Sequence, residues 1–473
     1  MTLRPLAAGL IGLTLAGCAV GPDYERPADP TQPGFDLATL PAAERAAIPG
    51  PHLTEGPVPA DWWTLLKSPA LDATEAQALA DNATVAAAKA TLRQAQQQVI
   101  EAEAAWWPQV SLSAGVSRNG SGGFTPSGGG FSSNYFSIGP AFSYTADLFG
   151  ATARAVEQSV AQEDYQRIEV EAARLTLVGG VATDAIAIAS ARLQLATAEE
   201  ILASDQQNLS MVQKQFAVGK AARSDVLTAQ SQLASDQALF PPLYQQLAAA
   251  RHALAVLLGD PPAQWSQPDV ELTDLRLPAQ LPVSVPSQLV RSRPDILAAE
   301  AQLHAATAAV GVATANLYPQ IALTATLGQQ ALTPSKLFDA SSTAWSLIGG
   351  LTQPLFEGGT LRAEQRAALD ALHASAARYQ QVVLDSFGQV ADLLDALDHD
   401  AQLVAAEANA RDTSQASLEL ARQSYQAGNT GVLQVLDAQR ERQRAELGFL
   451  QAQSHQYLDT IQLLLAVGGG PLT

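Results

Sequence analysis

The stretches "VAAAKATLRQAQQQVIEAEAAWWPQVSLSAGV" (85–116) and "ILAAEAQLHAATAAVGVATANLYPQIALTATL" (296–327) align without a gap at an offset of 211 residues. Leu92 falls on Leu303, Val99 on Val310, and Pro108-Gln109-Val110 on Pro319-Gln320-Ile321. Further along, Leu148-Phe149 falls on Leu355-Phe356 at offset 207. Later still, "FAVGKAARSDVLTAQ" (216–230) falls on "YQAGNTGVLQVLDAQ" (425–439) at offset 209. An offset that holds within four residues over three separate landmarks marks a duplication. Each half reads helix, strand, strand, long helix, helix.

The strands set the fold class. Val110, Leu112, Ala114 and Val116 alternate with Ser111, Ser113 and Gly115. Phe136, Ile138, Pro140, Phe142 and Tyr144 alternate with Ser137, Gly139, Ala141 and Ser143. Ile321, Leu323, Ala325 and Leu327 alternate with Ala322, Thr324 and Thr326, and a weaker, glycine-rich fourth strand is expected around Trp345 to Gln353. Apolar residues alternating with small polar ones, with aromatics among them, fit lipid-facing and lumen-facing rows. The competing reading is a soluble hairpin packed on a helix. Four strands are too few to close a membrane barrel, and open edges are forbidden in lipid. Strands in a membrane must therefore be pooled between subunits. The loop "NGSGGFTPSGGGFSSN" (119–134) lies between two strands and lacks a Gly-Lys-Ser/Thr ending, so it is read as an exposed loop and not as a phosphate loop.

The helices are long. No proline interrupts Ala151–Phe216 or Thr360–Ala427, so each would run on the order of 100 Å. Leu369, Leu372, Ala376, Tyr379, Val383, Phe387, Val390, Leu394, Leu397, Ala401 and Val404 recur with a mean spacing of 3.5 residues, the seam of a left-handed coiled coil. Partner helices are expected over 223–258 and 430–467, after turns at Gly219 and at Gly428 to Gly431.

The 473 residues carry 27 basic and 46 acidic side chains, a net charge of −19, which argues against a nucleic-acid partner. Hydrophobic residues make up 47% but aromatics only 6%, so the apolar mass is largely Ala, Leu and Val, as suits long helices. The lone cysteine excludes an intrachain disulfide. It stands at Leu15-Ala16-Gly17-Cys18, behind Arg4 and an apolar run from Leu6 to Ala16 that is too short to span a bilayer. This resembles the bacterial lipobox, with residues 1–17 as signal peptide and a lipid on Cys18. An unlipidated signal peptide is the alternative. Removing residues 1–17 deletes only Arg4 among the charged groups and leaves a net charge of −20. No later stretch reaches 18 consecutive apolar residues. Prolines over 22–60 make an extended arm, and a second proline-rich stretch from Pro261 to Pro294 divides the chain.

Catalytic chemistry is not legible. No two of the six histidines stand at i, i+3 or i+4, and nucleophile-elbow, kinase and dinucleotide signatures are missing from the sequence. The run Asp392, Asp395, Asp398, His399, Asp400 reads as the solvated face of a coiled coil, with a cation site as the alternative. No cofactor is expected beyond the covalent lipid.

The segments "CAVGPDYERP" (18–27), "DWWTLLKSPALD" (61–72), "RSRPDILAAEAQL" (291–303), "NLYPQIALTATLG" (316–328), "PLFEGG" (354–359) and "YQAGNTGVLQVLDAQ" (425–439) resemble the TolC-like outer-membrane factor family. The likeness is to its lipoprotein branch, which serves resistance–nodulation–division (RND) efflux pumps. It implies an α+β membrane protein in which a long coiled-coil α-barrel joins a shared 12-strand β-barrel, four strands from each chain of a homotrimer. The expected organisation is an arm over 18–60, a first repeat over 61–260 with its hairpin near 109–147, and a linker or equatorial segment over 261–292. A second repeat then runs over 293–467 with its hairpin near 320–354, and a tail over 468–473. The implied function is a passive outer-membrane exit duct for small molecules such as drugs. Its implied partners are a periplasmic adaptor and an inner-membrane RND transporter, with the barrel in outer-membrane lipid. A type I protein-secretion duct and a non-transporting envelope-bridging protein are the alternatives. Position by position, the resemblance puts a gating tyrosine at Tyr425, an aperture aspartate at Asp437 and their acidic partner at Asp225. Thr430 stands where some members carry a gating arginine, and Gln434 where some carry a first aperture aspartate.

Mass spectrometry of the mature N-terminus should find residue 18 acylated. A free Cys18 thiol would refute the anchor.

Overall fold

A computed structural model describes residues 19–28, 30, 52–56, 58–121, 131–264, 270–283 and 286–468. The expected signal peptide, Cys18, most of the proline arm, the centre of the glycine-rich loop and the expected C-terminal tail lie outside the described residues. The helices are α1 (Pro69–Asp81), α2 (Ala83–Glu103), α3 (Ala151–Ala217), α4 (Arg223–Gln237), α5 (Phe240–Leu257), α6 (Pro286–Ser292), α7 (Pro294–Ala315), α8 (Thr360–Gln426) and α9 (Val432–Ala466). The strands are β1 (His52–Glu55), β2 (Gln109–Ser121), β3 (Phe131–Ala146), β4 (Gln280–Val283), β5 (Gln320–Ala331) and β6 (Thr343–Thr352). Two compact units result, and each draws on both halves of the sequence: 1–27, 91–166 and 298–380 in one, and 28–90, 167–297 and 381–473 in the other.

In the first unit, β2, β3, β5 and β6 form an antiparallel sheet in that order. Its register carries the sequence alternation across all four strands. Val110 lies opposite Phe142, Phe142 opposite Ala325, and Ala325 opposite Leu347. Tyr144, Leu323 and Gly349 form a parallel row on the same face. The opposite face carries Ser113, Gly139, Ser143, Thr324 and Thr326, and Thr326 shares a 2.7 Å hydrogen bond with Ser346. Every strand thus contributes to one apolar and one polar face. Ile348, opposite Thr324, is the apolar exception on the polar face. Together with Gly349 and Gly350 it blurs the alternation of β6, which explains the weak signal of that strand in the sequence.

β3 and β5 approach closely where Pro140, which has no N–H to give, interrupts the ladder. A Cβ on Gly139 would lie 2.3 Å from the Leu327 carbonyl oxygen, and one on Gly328 would lie 2.6 Å from the Ile138 oxygen. A side chain at either position must force the strands apart.

The arm is fastened to the same unit. The Tyr24 ring stacks on His304 at 4.2 Å, and its hydroxyl donates to Glu300, which also accepts from Arg26 at 2.9 Å. Buried Arg154 donates to Asp23 and Glu157, and Glu157 meets His304 at 3.0 Å. Burial, then Glu300, raises the Tyr24 hydroxyl above its ordinary range, so it stays a donor. The Val20 N–H donates to the Phe149 carbonyl, three residues beyond the end of β3.

The second unit holds the principal core: Trp62, Leu66, Leu71, Ile186, Leu281, Leu289, Ile461 and Leu463, all fully buried. β1 pairs in parallel with β4, so the proline-rich arm and the proline-rich linker form a two-stranded sheet together. The linker also contains α6.

α3 and α8 each have 67 residues, about 100 Å of helix. All eleven expected seam positions of α8 are buried or half-buried, and Tyr379, Val390, Leu394, Leu397 and Ala401 are fully buried. The single helix expected over 223–258 is instead two, α4 and α5, parted at Ala238-Leu239. Pro241 and Pro242 cannot donate into a preceding turn but fit the first turn of a new helix. α3 and α7 each contain a window apolar enough to cross a bilayer, although half of each window is buried within the chain.

Gly139→Val should lower the yield and the thermal midpoint of folded protein in detergent, by more than Gly115→Val. The Gly115 Cβ would meet only the Ser137 hydroxyl, at 3.4 Å. Circular dichroism melts of both variants check this.

Candidate functional site

Two features could act in passage of a solute: the two-faced sheet and the tips of the helical hairpins. The tips α3–α4 and α8–α9 are built alike. Gly219 and Gly428 take φ of 74° and 76°, the left-handed conformation that ends a helix without a Cβ penalty. The Lys220 N–H then reaches back to the Gln215 carbonyl at 2.8 Å, and the Asn429 N–H to Ser424 at 2.9 Å. The next helix starts after Ala222 in one tip and after Gly431 in the other.

An apolar cluster joins the two tips. Val212 and Ala229 pack with Val432 and Leu436, with Tyr425 against them, and Tyr425 also packs on Leu418, Ala421 and Val435. The Tyr425 hydroxyl accepts a hydrogen bond from Gln215 Nε2. It is the one expected gate residue that connects the hairpins. The Asp225 carboxylate is used within its own tip, where it accepts from the Ala222 N–H at 2.9 Å and caps α4. Its counterpart Gln434 is exposed, and its own N–H donates to the Gly431 carbonyl. Asp437 is exposed and paired with Arg440 at 2.7 Å, one turn along α9. Thr430 buries a hydroxyl that lacks a hydrogen-bond partner. Within the chain, therefore, Tyr425, Asp225 and Asp437 share one end of the second unit without bonding to one another.

Sequence reading did not foresee a polar cluster deeper in the same bundle. Gln439 and Gln443, one turn apart on α9, both donate to Asp205 Oδ1 on α3, at 3.0 and 3.4 Å. Gln232 donates to Asp236 on α4 at 2.9 Å, and Asn208 donates to Gln439. Burial first, then Asp236 beside it, pushes the Asp205 carboxyl up to about 7. The available signal was polar residues at positions that an apolar seam should occupy. In the acidic run, Asp392 and His399 are exposed as expected, Asp395 and Asp398 are half-buried, and Asp400 is not a solvated carboxylate. Its burial and the adjacent Asp459 push it up to about 6. Among the described residues no cluster of His, Cys, Asp or Glu suits a metal ion.

A carboxyl whose folded pKa is raised holds its proton in the folded state after the unfolded chain has released it. The stabilisation by Asp205 is therefore present below the unfolded value near 4 and is lost as pH rises through about 7. The α3–α4–α9 bundle should melt at a higher temperature at pH 5 than at pH 8, and Asp205→Asn should flatten that dependence. Amide exchange across 200–240 and 432–445 measures it.

The Outer membrane efflux protein family model matches this chain twice, over residues 76–260 and 285–469. Outer membrane protein OprJ of Pseudomonas aeruginosa is 30% identical over 474 residues, covering 98% of this chain and 95% of the relative. Cation efflux system protein CusC of Escherichia coli is 30% identical over 470 residues, covering 97% of each. Among solved structures, the outer-membrane channel OprN has a TM-score of 0.87 at 28% identity and covers 96% of this chain and 99% of its own. A structure of CusC has a TM-score of 0.81 at 27% identity and covers 96% and 100%. A family model that matches both halves, together with full-length relatives of the same architecture, shows that the chain belongs to the outer membrane efflux protein family.

Proposed function

We propose that the chain is the outer-membrane exit duct of a tripartite efflux pump, working as a homotrimer. One observation carries the reading: a four-stranded sheet, apolar on one face and polar on the other, with β2 and β6 as open edges. The apolar face suits lipid and the polar face suits water, but edges cannot stand in hydrocarbon. Three copies supply 12 strands, enough for a closed barrel. The sequence carries no nucleotide-binding signature to power transport. Drive comes from an inner-membrane RND transporter, passed on through a periplasmic adaptor, and small molecules such as drugs leave passively.

The lipid on Cys18 fits the same picture. Val20 is held at Phe149, just past the end of β3, so the start of the described chain is fastened at the end of the sheet. A lipid there adds to a barrel that already holds the membrane.

The duct closes at the hairpin tips, where Tyr425, Thr430, Gln434, Asp437 and Asp225 sit. The Tyr425 bond to Gln215 ties one hairpin to the other, so opening must break it. Three symmetry-related Asp437 carboxylates line the entrance. Arg440 offsets part of their charge, and the remainder gathers cations.

Purified protein in a planar bilayer should give discrete single-channel conductance, and persistent silence would refute the duct. Tyr425→Phe removes a hydrogen bond worth about 0.5–1.5 kcal/mol, which raises the open fraction by about two- to tenfold. Asp437→Ala should lower cation selectivity in reversal-potential measurements. If both variants behave as wild type, the constriction lies elsewhere.

A further inference from the structure

The two halves meet inside one chain at a specific aromatic contact. Phe149, just after β3, stacks on Tyr318, just before β5, with ring centroids 4.8 Å apart and planes 22° apart. The antiparallel pairing of β3 with β5 brings them together, since Ala146 lies opposite Ile321 at that end of the sheet. Each of these residues has a counterpart in the other half. Offset 207 carries Phe149 to Phe356, just after β6, and offset 211 carries Tyr318 back to Trp107, just before β2.

Among the described residues the counterparts have no such contact. Phe356 is 90% exposed, Leu355 92% and Trp107 74%. The segment that carries Phe356 is nevertheless fixed. Gln353 Nε2 donates to the Leu317 carbonyl at 3.0 Å and to the Pro354 carbonyl at 2.9 Å, which fastens the exit of β6 to the approach to β5. Two large apolar side chains held outward on an anchored loop, at the end of an unpaired edge strand, form a surface made to be covered. The Trp107 ring stands at the end of the other edge strand.

We propose that Phe356 of one copy stacks on Trp107 of the next, reproducing between chains the Phe149–Tyr318 contact made within each chain. This rests on the trimeric duct reading. β6 must then pair with β2 of a second copy as β3 pairs with β5, and the same pairing carries the two aromatics together. The occupant of the Leu355–Phe356 surface is thus a second copy of this chain. Six aromatic stacks ring the assembly where strands give way to helices, three within chains and three between them. The interface stacks fix which edge pairs with which, and in what register, before the duct can close.

The test co-expresses two differently tagged full-length copies, one carrying Trp107→Cys and the other Phe356→Cys, and treats the purified assembly with a short bis-maleimide. Cys18 is the only native cysteine, so a copy pair without the new cysteines gives the background. The expected result is a covalent dimer carrying both tags, with little linkage when both copies carry the same single substitution. An intact trimer without the mixed-tag product overturns the contact and leaves the duct standing. Failure of the wild-type chain to form a trimer overturns the duct reading, and the contact with it. Should the cysteine variants not assemble, thermal dissociation of Trp107→Leu, Phe356→Leu and the double variant decides the question. Each single change should lower the midpoint, and the double should lower it by no more than the larger single effect. Additive losses would overturn the contact.

Discussion

An unpaired backbone group in hydrocarbon has no water to bond, and this sheet has two edges full of such groups. The rest of the molecule follows from that constraint. The pairing β2–β3–β5–β6 leaves the first and last strands open. The shared register keeps one face apolar throughout, so the sheet suits a bilayer on that side and water on the other. In hydrocarbon a sheet of this kind is complete only when both of its edges are paired.

The helical part answers a different requirement. Two helices of 67 residues are far too long to be buried in a compact domain. They are stabilised along a narrow seam, with turns at their ends that two left-handed glycines permit. Small apolar clusters around Tyr425 join the hairpin tips, whereas a large core around Trp62, Ile186 and Ile461 holds the base of the second unit. Local opening free energy should differ sharply between these regions, because the tips bury far less apolar surface than the principal core.

Much of this was legible in the sequence because periodicity survives in it. The alternation over 110–116, 136–144 and 321–327 predicted three strands, and the 3.5-residue spacing predicted the α8 seam. β6 was faint because Ile348 and two glycines break its alternation. The α4–α5 break was overlooked, although Pro241-Pro242 marks it. The β1–β4 pairing and the Tyr24–Glu300 clasp depend on residues more than two hundred positions apart, which no local pattern encodes. Of the residues expected at the hairpin tips, Tyr425 joins the two hairpins, but no pattern singles out its partner Gln215, because glutamines are common throughout these helices and only the packing of two hairpins selects one of them.

The central claim is that strands from three chains close one barrel. Native mass spectrometry of the protein released from detergent counts the chains directly. The account predicts one dominant species near three times the mature chain mass, with the sheet intact by circular dichroism. A folded, stable monomer would contradict it, because that monomer would keep both sheet edges open in a membrane that cannot tolerate them.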